Sequence, residues 1–94
     1  MAYSRPMRRP IEFRNGTNRC YGCGSDNPAG LRLQFFATDE GIELDYVAPA
    51  HLEGAPGILH GGVQGTLLDE AFCMAAYARC GTSVVTGELT VRYL

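Results

Sequence analysis

Apolar and polar residues alternate in two runs early in the chain. Leu31, Leu33 and Phe35 alternate with Arg32 and Gln34; Ile42, Leu44 and Tyr46 alternate with Glu43 and Asp45. A period of two puts one set of side chains on each face of a strand. Asp39-Glu40-Gly41 supplies turn chemistry between the runs, so together they predict a hairpin. Pro49 to Leu59 holds two prolines and two glycines and reads as a loop. The pattern then changes to a helix that begins at Gly61 or Gly62 and stops at Cys80, with Gly81 as the C′ residue. Ala71 to Ala78 is apolar all round, the mark of a helix wrapped by protein. In so short a chain a curved sheet is the wrapping to expect. From Ser83 to Leu94 the period of two returns. Val85, Leu89, Val91 and Tyr93 fall on one face, and Thr86, Glu88, Thr90 and Arg92 on the other, which predicts a last strand. Three strands do not enclose a helix of about five turns. The sequence is therefore expected to be incomplete at its C-terminus.

Ahead of these elements, Met1 to Asn18 lacks periodicity and Cys20 to Gly30 is rich in turn residues. The expected organisation is an extended N-terminal arm over 1–19 and one domain over 20–94. With 94 residues there is room for a single small core, which a partner subunit often completes. The net charge of −2 argues against a general nucleic-acid binder. The arm carries Arg5, Arg8, Arg9, Arg14 and Arg19 against Glu12. A basic arm can meet a phosphate-bearing ligand, though a solvated tail is the plainer reading. No run of ~18 apolar residues offers a membrane span, and no apolar segment follows the arginines as a secretory signal would. A cytoplasmic protein is expected, without membrane or nucleic-acid partners. In that compartment Cys20, Cys23, Cys73 and Cys80 do not read as a disulfide framework.

The chemistry concentrates where the helix starts. Gly61 and Gly62 in Ile58-Leu59-His60-Gly61-Gly62 lack Cβ, so a ligand can approach their backbone closely. Their N–H groups are among the first of the helix, have no intrahelical partners and sit at the positive end of its dipole. Such amides hold a developing oxyanion. Two turns later come Asp69 and Glu70. Gly62, Gly65, Thr66, Asp69, Cys73 and Ala76 form one stripe of mostly small residues, which leaves space beside the Asp69 carboxylate; Glu70 points about 100° away. A carboxylate there can serve as base or nucleophile. The parts are those of a hydrolase acting on an activated carbonyl. Asp69 lies roughly 10–12 Å along the axis from the glycine pair. Nucleophile and oxyanion donors must meet within ~3–3.5 Å of one carbonyl carbon. The spacing therefore predicts a two-fold dimer in which Gly61 of one subunit faces Asp69 of the other.

Gly57-Ile58-Leu59-His60-Gly61-Gly62, Leu67-Leu68-Asp69-Glu70-Ala71 and the stretch Val85 to Leu94 resemble the hotdog-fold acyl-CoA thioesterases of the PaaI-like and 4-hydroxybenzoyl-CoA thioesterase type. Cys20-Tyr21-Gly22-Cys23-Gly24 with Asn27 to Leu31 resembles a subgroup of them. The resemblance implies an α+β hotdog fold, a long central helix wrapped by an antiparallel sheet, here lacking its last strands. It also implies a homodimer or dimer of dimers. The implied reaction is hydrolysis of an acyl-CoA to a free acid and CoA, with no cofactor beyond the CoA of the substrate. By this resemblance Asp69 is the catalytic carboxylate and the Gly61 amide polarises the carbonyl, with Gly62 beside it. His60, also among the catalytic candidates, shapes the turn and is placed to contact the thioester, and Thr86 takes the place of a hydroxyl that orients water. Gly65, Thr66, Phe72 and Cys73 are the candidate substrate-binding residues. The family's Asn or Gln ahead of the histidine is absent; Glu53-Gly54 stands in that region.

Two other readings use the same residues. A non-catalytic hotdog domain would bind acyl-CoA in the same groove. A small zinc module would start from Cys20-x-x-Cys23 and need two more ligands from His51, His60, Cys73 and Cys80. Cys73 and Cys80 stand in apolar context on the helix and read as core, so no metal is expected, and Cys20 and Cys23 read as turn-packing thiols.

Overall fold

The computed structural model describes residues 7–12 and 16–94. Its helix, α1, spans Gly61–Cys80, the bounds that the sequence predicts. His60 caps the start with its side chain, accepting from the Gly62 amide at 2.9 Å. At the other end Gly81 adopts φ 71°, the left-handed region that glycine enters without a Cβ clash, and its N–H donates to Tyr77 O at 2.8 Å.

Three short strands form an antiparallel sheet in the order β1 (Arg9–Pro10), β2 (Phe36–Thr38) and β3 (Gly41–Glu43). A hairpin turns at Asp39-Glu40 as expected, but its first strand is Phe36–Thr38 and not the predicted run Leu31 to Phe35. The Thr38 hydroxyl accepts from the Glu40 and Gly41 amides at 3.2 and 3.1 Å. Its ladder is shorter than the alternation suggests, because Leu31 to Phe35 pairs elsewhere. Leu31 N–H donates to Tyr21 O and Leu33 N–H to Gly22 O, both at 2.9 Å, and Arg32 between them has φ 52°. A residue in that region breaks a regular strand. The alternation is nonetheless real as burial: Leu31, Leu33 and Phe35 are buried, Arg32 and Gln34 exposed.

β1 falls inside the expected arm. Arg9 stands opposite Ala37 and Pro10 opposite Phe36, on the sheet edge where a proline is tolerated. Arg8 bonds Asp45 at 2.8 Å and Glu43 at 3.1 Å and lies 4.0 Å above the Phe36 ring. These contacts, Asp45 first, raise the Arg8 pKa. Arg5 and Arg14 lie outside the described residues.

Leu31, Leu33, Phe35, Leu52 and Met74 form the core, with Ile42, Leu44, Leu59, Val63, Leu67 and Ala71 packed around it. The expectation that a sheet wraps α1 on every side is not met. Strands of two or three residues reach about 10 Å, whereas a 20-residue helix runs about 30 Å. Met74 is buried, but Leu68 is 41% and Phe72 63% exposed on the side away from the sheet.

The last strand is likewise not formed; Ser83 to Leu94 belongs to no ladder among the described residues. It runs back along α1, and both Thr86 and Tyr93 touch the helix. Positions seven apart point to opposite faces of a straight strand. Seven extended residues also span about 23 Å, twice the ~12 Å of helix between their contact points. The segment instead lies along the helix with contacts at both positions and no strand pairing among the described residues.

Candidate functional site

The helix start follows from its loop. Glu53 bridges to Leu59, His60 N–H donates to Leu52 O at 2.9 Å, and Gly54 N–H donates to Ile58 O at 2.8 Å. Glu53, standing where the polar helper was expected, accepts from the Gly57 amide at 2.5 Å and so shapes this turn. The chain is thereby delivered to His60 at φ −55°, ψ 135°, and α1 begins at the next residue.

The two glycine amides differ. That of Gly62 is committed to His60 Nδ1, which places the proton of a neutral ring on Nε2. That of Gly61 has no hydrogen-bond partner among the described residues. Tyr93 stands over this turn: its hydroxyl donates to Gly61 O, and a Cβ at Gly61 would meet the ring at 3.5 Å. Tyr93 also lies beside Gly65, where a Cβ would be 3.6 Å from the hydroxyl. The Thr66 hydroxyl turns back to Gly62 O at 3.0 Å, a bond within the helix.

Asp69 accepts a hydrogen bond from the Thr86 hydroxyl, whose oxygen is 3.3 Å from Cys73 Sγ. Asp69, Cys73 and Thr86 thus form one group, as their shared stripe predicts for the first two. They line an open cleft of about 830 Å³ together with Met74, Tyr77 and Val85. A smaller recess of about 210 Å³ continues past Phe72 to Leu89. Around Asp69 the lining combines carboxylates, hydroxyls and a thiol with apolar side chains, a mix that fits a ligand with both a polar and an apolar part.

The same cleft reaches a second group. Cys20, Cys23 and Glu70 converge on its other side, with Cys20 Sγ 3.2 Å from Glu70 Oε1. Burial first, then a bond with Cys20 and the charge of Glu70, push the Cys23 thiol up to about 12. Glu70 therefore faces the loop 18–24 while Asp69 faces Thr86. The sequence contains the 100° divergence of the two carboxylates but no sign of what each one meets. The alternation over 83–94 puts Tyr93 in a strand with no link to Gly61, and nothing local in the sequence signals that contact.

His60, Gly61, Asp69 and Thr86 all lie in one half of the chain. Residues 56–94 match the family model of the thioesterase superfamily. No curated protein and no solved structure matches the chain. The matched segment begins in the turn ahead of His60, takes in all of α1 and includes Thr86 and Tyr93. The loop with Cys20 and Cys23 lies outside it. No helix among the described residues is long and apolar enough to cross a membrane.

Proposed function

We propose that this chain hydrolyses an acyl-CoA thioester to a carboxylic acid and CoA, as a homodimer with two sites built across the subunit interface. The observation that carries the reading is the pairing of Asp69 with Thr86 on the cleft wall, on the helix whose first amide, that of Gly61, has no partner among the described residues. The thioesterase-superfamily match over these same residues supports hydrolysis of a thioester. The carbonyl oxygen sits on the Gly61 amide at the positive helix end, where charge developing on oxygen is stabilised. Asp69 of the other subunit activates water, or attacks to give an anhydride that water then opens; the Thr86 hydroxyl orients it in either case. His60 holds the Gly62 amide and so fixes the turn. Gly65, Thr66, Phe72 and Cys73 flank the acyl group.

The trans arrangement is supported by distance and by surface. Gly61 and Asp69 are eight residues apart, about 12 Å along one helix, too far to serve one carbonyl. Leu68 and Phe72, one turn apart, expose an apolar stripe that a second copy of α1 would cover.

Thiol release from a panel of aryl- and alkyl-CoA esters, comparing wild type with Asp69→Asn, tests the reading. A general base contributes ~10²–10⁴-fold, so turnover should fall by that order while the fold persists. Equal turnover in the two proteins refutes the role of Asp69. A folded dimer that binds acyl-CoA without releasing thiol refutes catalysis and leaves a binding domain.

A further inference from the structure

Cys20 and Cys23 belong to a loop that is held rigidly before any ligand arrives. Asn18 Oδ1 accepts from Cys20 N–H at 3.1 Å, and Asn18 N–H donates to Asp26 Oδ2 at 2.8 Å. Asp26 N–H returns to Asn18 O at 3.0 Å, and Gly24 N–H closes onto Cys20 O at 2.9 Å. The bonds from Leu31 and Leu33 to Tyr21 and Gly22 dock the loop on the core. Both sulfurs then face α1 at Glu70.

The fit at Glu70 is close. A Cβ on Gly22 would lie 2.3 Å from Glu70 Cγ and 2.6 Å from its Oε1, so the loop backbone lies directly against the carboxylate. One ligand atom from each of Cys20, Cys23 and Glu70 falls within 4.8 Å of the others, and all three residues are half-buried. Around tetrahedral zinc, with Zn–S ~2.3 Å and Zn–O ~2.0–2.2 Å, ligand atoms stand about 3.5–3.8 Å apart. Side-chain adjustment of about 1 Å closes the set.

We propose that Cys20, Cys23 and Glu70 form a zinc site, with two thiolates and one carboxylate as protein ligands and the fourth position open to the cleft. Two sulfurs with one carboxylate oxygen suit zinc, whereas magnesium and calcium take oxygen ligands. Asn18 Nδ2, 3.9 Å from Cys23 Sγ, is the outer-shell donor toward a bound thiolate. Glu70 takes the place for which His51, His60, Cys73 and Cys80 were the sequence candidates. His60 is engaged at the helix cap and Cys73 with Thr86. The metal fastens the loop 18–24 to α1 at the residue next to Asp69, and its remaining ligand is a water in the cleft. None of this depends on the proposed hydrolysis.

Cobalt titration of the reduced full chain tests it. One Co²⁺ per chain should produce a thiolate-to-metal charge-transfer band and the intense visible bands of a tetrahedral ion, both lost when Zn²⁺ is added. Cys20→Ser and Cys23→Ser should each weaken the charge-transfer band. Glu70→Gln should weaken affinity by more than the ~10–100-fold typical of an outer-shell loss. Cys80→Ser should bind as wild type does. Far-ultraviolet circular dichroism confirms that each variant keeps its helix. A folded wild type that takes up no cobalt overturns the proposal, as does unchanged affinity in Glu70→Gln. A Cys20–Cys23 disulfide that persists in reductant, seen as a mass loss of two hydrogens, overturns it too and marks a redox pair instead.

Discussion

Replacing Gly61 by proline should delete one proton donor and little else. Gly61 is the first residue of α1, the position where proline is favoured because its missing N–H has no intrahelical partner. His60 before it already has φ −55° and ψ 135°, the extended geometry that a following proline demands. A Cβ at 61 meets Tyr93 at 3.5 Å, an ordinary contact. Thermal stability should therefore stay within about 1 kcal/mol of wild type. The lost amide is the one assigned to the carbonyl oxygen, and removing one such donor costs ~2.7–4 kcal/mol in the transition state, or 10²–10³ in kcat. Mixing this variant with Asp69→Asn makes the assay sharper. After subunit exchange half the dimers are mixed. Each mixed dimer has one site with both groups intact and one with both lost. Thiol release should return to about a quarter of wild type, although both parents are nearly inactive. A mixture as inactive as its parents refutes the trans site, and full kcat in Gly61→Pro alone refutes the amide.

Thr86→Val removes the hydroxyl that bonds Asp69, an exposed charge-assisted bond; kcat should fall about tenfold with KM nearly unchanged, and Thr86→Ser should restore it. Phe35→Ala empties the most buried site of the core and should cost ~3–5 kcal/mol, measured by urea unfolding. Against a total of ~5–15 kcal/mol, that leaves a marginal fold. Gly81→Ala forces an L-residue into φ 71° and should cost ~1–2 kcal/mol, lowering the melting temperature by at least ~4 °C. A melting temperature unchanged in Gly81→Ala would show that the helix end relaxes freely.

What could be read from the sequence was what neighbours in sequence decide. The bounds of α1 come from His60 and Gly81, each within a few residues of the groups it satisfies. The burial of Leu31, Leu33 and Phe35 follows from alternation alone, and the stripe that brings Asp69 to Cys73 follows from helical spacing. Pairings between distant segments were not legible. Arg9 and Pro10 carry no periodicity, so their place on the edge of β2 had no signal. Cys20 meets Glu70 across 50 positions, a contact that only the packing of the loop against the helix creates. Alternation over 83–94 suggested a straight strand. In that stretch contacts to the helix at both Thr86 and Tyr93 outweigh the preference for a period of two.

The segment that ends the described chain touches α1 at two separate points, Thr86 at Asp69 and Tyr93 at Gly61. Those two points lie eight residues, about 12 Å, apart along the helix. Asp69 and Gly61 are consequently held by two separate fastenings of the same strap. A ligand arriving at the helix start can lift Tyr93 away from Gly61 while Thr86 stays on Asp69, so opening one of the proposed dimer's two sites need not disarm the carboxylate that serves the other.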